Sequence, residues 1–228
     1  MKQTLQRSLR RSDRKQERLS RLRPAASVRT LRGGGRGLEH DFDREVRRRR
    51  DQSLYVTHFT KAVDTAEGRL SPGQVLRRIL RERSIYARPV GDRCAGGGRD
   101  ADAVCLTEAP LLGLIVPTAP RSPAHGIGFD KRFVYRQGGM PVIYLRRDLI
   151  EPDGTPPMDP RLYPFVKPFE VEVDNPTYER EWRVPRDLSF TYAEVAFLIV
   201  PRDERPRFCA EFPDLQRVLD YEFLLESM

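Results

Sequence analysis

From residue 54 onward, apolar and polar positions fall into short blocks, and each block predicts an element. Leu54-Tyr55-Val56-Thr57-His58-Phe59-Thr60 is rich in β-branched and aromatic residues and predicts a strand. Val75, Leu76, Ile79 and Leu80 then recur at helical spacing behind Ser71-Pro72-Gly73-Gln74, which offers a cap and a proline at the first helical position. That spacing predicts a helix to about Arg83. Ser84-Ile85-Tyr86-Ala87-Arg88-Pro89 reads as a short extended piece, and residues 91–102, with their triple glycine, as a mobile loop. Ala103-Val104-Cys105-Leu106-Thr107-Glu108 is the next strand, and 110–114 one turn of helix. After a proline-rich loop at 117–123, Gly126-Ile127-Gly128-Phe129 predicts a strand. Asp130 caps a short helix over 131–137, which Gly138-Gly139 closes. Pro141-Val142-Ile143-Tyr144-Leu145 predicts a strand that begins with proline, where a missing donor matters least. Residues 150–168 read as a proline-rich loop, 169–173, 181–184 and 195–200 as strands, and 214–225 as a closing amphipathic helix. Short strands outnumber helices and rarely alternate with them. The fold class is therefore α+β, with small mixed or antiparallel sheets and a few helices.

The N-terminal part follows different rules. Apolar residues are sparse up to Arg36, and the segment ends in L-R-G-G-G-R-G, so 1–38 is expected to be a basic, disordered arm. A charged helix over 39–52 leads into a single domain spanning 39–228. The net charge of +8 is concentrated here: residues 1–50 hold 17 Lys and Arg against 6 Asp and Glu, leaving 24 against 27 in the rest. The folded part is thus close to neutral. The arm suits nucleic acid or an acidic partner, but it equally suits a solvated extension or a start codon placed too far upstream. Arginine outnumbers lysine 36 to 5, which fits a GC-rich coding sequence as well as phosphate recognition.

Other classes are excluded by what the chain lacks. No apolar run approaches the roughly 20 residues of a membrane-spanning helix, and no secretory h-region is present, so a cytoplasmic protein without a membrane partner is expected. Cys94, Cys105 and Cys209 are widely spaced, with neither a C-x-x-C pair nor histidines at zinc-ligand intervals. Neither a disulfide framework nor a metal site is expected.

Three segments carry candidate chemistry. His58 shares a strand face with Val56 and Thr60, where it either presents a polar pair to a hydroxylated ligand or is a core histidine satisfied by a carbonyl. Thr107 and Glu108 end an otherwise apolar strand, so one of them points to the core side or into a cleft. In T-Y-E-R-E-W-R-V-P, alternation puts Glu179, Glu181 and Arg183 on one face and Tyr178, Arg180 and Trp182 on the other. Carboxylates two residues apart on a strand lie about 7 Å from each other and raise one another's pKa when buried, while Arg183 pulls both down. The stretch is either a salt-bridged strand anchored by Trp182 or a held catalytic carboxylate.

Taken together, H-F-T, the helix ending I-L-R-E-R-S-I-Y-A, V-C-L-T-E and E-R-E-W-R-V resemble a bacterial abortive-infection, phage-resistance family, across residues 54–200. The order of motifs resembles, more distantly, the ADP-ribosyltransferase fold. That resemblance implies a cleft for NAD⁺, as substrate and without a metal, between two small sheets. It implies His58, with Thr60 two residues on, at a ribose; Thr107 supporting the site; Tyr86 or Phe59 as a stacking residue; and Glu181 as the catalytic glutamate, with Glu179 the earlier carboxylate of E-x-E. It further implies a phage-defence effector that modifies a nucleic-acid or protein target, or, alternatively, a non-catalytic binding or antitoxin component. The sequence departs from the poly-ADP-ribosylating branch in one place: Cys105 and Leu106 stand where aromatics would pack on nicotinamide.

Overall fold

The computed structural model describes residues 52–90, 102–108, 125–172 and 176–222. The expected arm, the lead-in helix over 39–52, the loop after Val90 and the turn at 110–114 lie outside the described residues, apart from their last or first positions. In chain order the strands are β1 (Tyr55–Phe59), β2 (Val63–Thr65), β3 (Gly68–Leu70), β4 (Ser84–Ile85), β5 (Arg88–Pro89), β6 (Asp102–Thr107), β7 (Gly126–Asp130), β8 (Met140–Pro141), β9 (Ile143–Arg146), β10 (Val166–Phe169), β11 (Glu181–Val184), β12 (Leu188–Ser189), β13 (Val195–Val200) and β14 (Val218–Asp220). The α-helices are α1 (Pro72–Glu82), α2 (Lys131–Arg136) and α3 (Arg205–Glu211). The class is mixed α+β, with mostly antiparallel strands.

One sheet of eight strands dominates, in the order β14-β13-β7-β1-β6-β11-β8, with β5 added beside β6. The pairs β10-β9, β12-β4 and β2-β3 stand outside it. Register fixes what each face of the main sheet carries, because paired residues on neighbouring strands project to the same side. Thr57 pairs with Thr107, and Thr107 with Glu181, so these three share a face. Val56 pairs with Phe129, His58 with Ile127 and Trp182 with Leu106, and these occupy the opposite face. There they join Leu76, Ile79 and Leu80 of α1, Phe133 and Val134 of α2 and Phe208 of α3 in the principal core. Each such aliphatic side chain contributes about 1.5–3 kcal/mol by leaving water. The Thr57 face has a smaller apolar cluster of Phe197, Ile199 and Tyr221, flanked by Tyr55 and Phe59. Gly128 lets the Phe197 ring pack close over the sheet there, since a Cβ at this position would come within 2.4 Å of it and force the ring to shift.

Local rules place α1 and α2 as the sequence predicts. Ser71 Oγ accepts from the Gln74 N–H at 3.3 Å and Gln74 Oε1 accepts from the Ser71 N–H at 2.7 Å, a reciprocal capping box ahead of Pro72. Asp130 caps α2, accepting from the Arg132 N–H at 2.7 Å.

Elsewhere tertiary pairing overrides the pattern. The strand expected over 141–145 is two: β8 pairs with β11, while β9 pairs in parallel with β10 in a separate ribbon, the chain changing sheets at Val142. The strand expected over 169–173 lies earlier, at β10, which meets that range only at Phe169 and otherwise falls in the segment read as a loop over 150–168, where a 3-10 turn at Pro160–Phe165 also lies. Of the closing helix expected over 214–225, residues 218–220 are instead β14, parallel to β13, and among the described residues only 221–222 are helical; α3, with Pro206 in its first turn, precedes this segment. Glu179 is not on the strand with Glu181. It ends a 3-10 turn at Pro176–Glu179, and Arg180, at φ 45°, breaks the alternation before β11 begins.

Candidate functional site

The residues nominated from the sequence assemble into two groups, one on each face of the main sheet. His58, Thr60 and Tyr86 line a cavity of about 540 Å³ on the α1 face, with Val75 and Ile79 of α1 as part of its apolar wall. Thr107, Glu179 and Glu181 meet on the other face, and Glu181 does not line that cavity.

His58 lines the cavity and is satisfied on one side by a backbone carbonyl. Its Nδ1 lies 2.9 Å from the Cys105 carbonyl, which only accepts, so Nδ1 carries the proton. Burial pushes its pKa below the ordinary histidine value; the Cys105 carbonyl opposes this, and the charges of Arg88 and Lys61 add to it. The ring is therefore neutral at neutral pH, and Nε2 is an acceptor suited to a hydroxyl donor. Thr60 also lines the cavity, but its hydroxyl donates to the Pro72 carbonyl at 2.9 Å and so holds the start of α1. Tyr86 is 53% exposed beside it, a ring face open to stacking. A concave, largely apolar space with few polar groups is what small-ligand sites look like.

No family model, curated protein or solved structure matches this chain.

On the opposite face Glu181, 6% exposed, has both carboxylate oxygens occupied. Arg183 Nε donates to Oε1 at 2.7 Å and Lys167 Nζ to Oε2 at 2.6 Å. Lys167 also reaches Glu179 Oε2 at 3.1 Å, so it, rather than strand alternation, brings the two carboxylates together. Burial alone would push Glu181 up, but the hydrogen bond and charge of Arg183, then those of Lys167, hold its carboxyl below the usual range. Burial would likewise lower Lys167, but pairing with Glu181 and Glu179 raises it above the ordinary lysine range. Arg183 further donates to the Pro164 and Val166 carbonyls at 3.1 and 2.9 Å. Thr107 Oγ1 donates to the Glu179 carbonyl. Cys105 sits beside this cluster with its thiol pushed up to about 12, by burial first and then by the Glu181 charge, so it is no thiolate nucleophile at neutral pH. Glu181 is thus fixed as an anion, suited to electrostatic stabilisation and unsuited to taking a proton.

Glu108, next to Thr107, turns to the core side. Its carboxylate accepts from Trp182 Nε1 at 2.8 Å and pairs with the buried Lys131 at 2.5 Å. Sequence reading missed Lys167 and the Glu108–Lys131 pair. Lys167 lies in a segment read as loop, and only the parallel β9–β10 pairing brings it to Glu181. Glu108 ending an apolar strand was the one visible signal for the second. Among the described residues no group of His, Cys, Asp and Glu is placed to hold a metal ion, and no helix is long and apolar enough to cross a membrane.

Proposed function

We propose that the chain is an NAD⁺-binding, ADP-ribosyltransferase-like component of a phage-defence system that acts by binding, as a non-catalytic or antitoxin partner. The observation that supports this is the His58 cavity. It gathers His58, Thr60 and Tyr86, three residues the resemblance assigns to the ligand, around a neutral acceptor nitrogen. Its volume of about 540 Å³ suits part of a dinucleotide. Glu181, paired with two cations on the opposite face, is a structural anchor in this reading.

A second reading makes the chain a catalytic effector that transfers ADP-ribose to nucleic acid or protein in the cytoplasm, with the basic arm at the target. What favours it is strand order: β1, β6 and β11, which carry H-F-T, V-C-L-T-E and E-R-E-W-R, are immediate neighbours. Glu181 would then stabilise the positive charge that builds at the anomeric carbon as nicotinamide leaves, once freed from Lys167.

Thermal shift with NAD⁺ tests the first reading, because a ligand of the native state raises the melting temperature. Wild type and Glu181→Gln are expected to shift and His58→Ala to lose most of the shift, with folding of each confirmed by circular dichroism. No shift in wild type removes the proposal. Nicotinamide release by wild type that disappears in Glu181→Gln moves the weight to the effector.

A further inference from the structure

Two cations stand at the His58 cavity with no ion-pair partner among the described residues. Lys61 lies two residues beyond the end of β1, and Arg88 is held on β5 by its pairing with Ala103 of β6. Both are exposed, and both act electrostatically on His58. The other cation in the wall, Arg78, is engaged by Glu82 at 2.9 Å, and Glu82 is the only carboxylate among the lining residues. Among the described residues, the cavity lining therefore carries net positive charge beside a neutral imidazole acceptor and an open aromatic ring.

Both groups are seated against the same short stretch of β6: the Cys105 carbonyl orients His58, and Ala103, two residues earlier, pairs with Arg88.

We infer that Lys61 and Arg88 form a phosphate-reading site at the mouth of the cavity, so that the ligand is a phosphorylated nucleoside and the bare nucleoside is discriminated against. The inference rests on the nucleotide reading of the cavity given above, and it assigns specificity to two residues that no motif marks. Charged contacts at an exposed mouth are screened by salt, so the preference is strongest at low ionic strength.

Titration calorimetry with adenosine, AMP, NAD⁺ and inorganic phosphate tests it, on wild type, Lys61→Ala, Arg88→Ala and the double variant. Both side chains are exposed, and thermal melting confirms that each variant folds. At low salt, AMP is expected to bind wild type at least tenfold more tightly than adenosine, with the gap closing in the double variant and at high salt. NAD⁺ should weaken in the same variants. Equal affinities for AMP and adenosine in wild type, or AMP affinity unchanged in the double variant, would overturn the phosphate site while leaving the nucleotide reading intact. Inorganic phosphate binding as tightly as AMP would reduce the site to a simple anion site and overturn the nucleotide specificity. Absence of binding by AMP, adenosine and NAD⁺ alike would remove both proposals.

Discussion

The two faces of the main sheet place polar residues under opposite conditions. On the α1 face, His58 spends one nitrogen on a backbone carbonyl and keeps the other available in a cavity. On the other face, Glu181 has each carboxylate oxygen taken by a cation, and its partner Arg183, 2% exposed, is itself bound to two further carbonyls. A binding residue keeps some of its capacity unused, whereas a structural one is saturated. The difference teaches that the conspicuous charged motif, E-R-E-W-R, spends its hydrogen-bonding capacity inside the fold, while His58 keeps one acceptor open to the cavity.

The sharpest way to break this comparison is Arg183→Ala. It strips one cation from a buried carboxylate and leaves the Pro164 and Val166 carbonyls without their donor, so a loss of about 3–5 kcal/mol is expected by urea denaturation. His58→Ala removes one hydrogen bond and should lower stability by no more than about 1.5 kcal/mol while removing ligand binding. If the costs come out the other way round, the assignment of the two faces is wrong. Ser71→Ala is a milder probe of the cavity wall. Loss of the cap should lower stability by about 1 kcal/mol, read by urea denaturation, and weaken ligand binding through fraying of α1.

The smallest effect is in pH. His58 has a folded pKa lowered from 6.5, so the native state resists its protonation; its contribution is fully present above 6.5 and is lost as pH falls below that value toward the folded one. Glu181, also lowered, contributes stability that is present above the usual carboxylate range and lost only in more acid solution, as pH falls through its folded value. Urea midpoints measured from pH 7.5 to 5.5 should therefore flatten in His58→Gln, while the acid limb persists. A slope unchanged by that substitution would mean that His58 is not the neutral, buried group described.

Much of the framework was legible in the sequence because it is local. The cap Ser71-Pro72-Gly73-Gln74, the helical spacing of Leu76, Ile79 and Leu80, and the Asp130 cap depend on neighbours within a turn. The C-terminal part was not. Leu215, Val218 and Tyr221 recur every three residues like a helix face and all are buried, yet Leu215 and Val218 enter the principal core while Tyr221 joins the cluster on the opposite face. An edge position beside β13 was worth more to that segment than its helical pattern. Of the candidate site, the residue identities were legible and their grouping was not. A break of one residue at Arg180 takes Glu179 off the strand, and Lys167, which joins it to Glu181, comes from a ribbon whose parallel pairing leaves no local signature.

Cys105 serves both faces with different atoms. Its carbonyl orients His58, while its thiol contacts Glu181. A change of side chain at this position leaves the carbonyl in place, so one face can be altered while the other is inherited intact. Substitutions on the two faces that leave the Cys105 backbone in place should accordingly combine additively, and those that shift this shared strand should not.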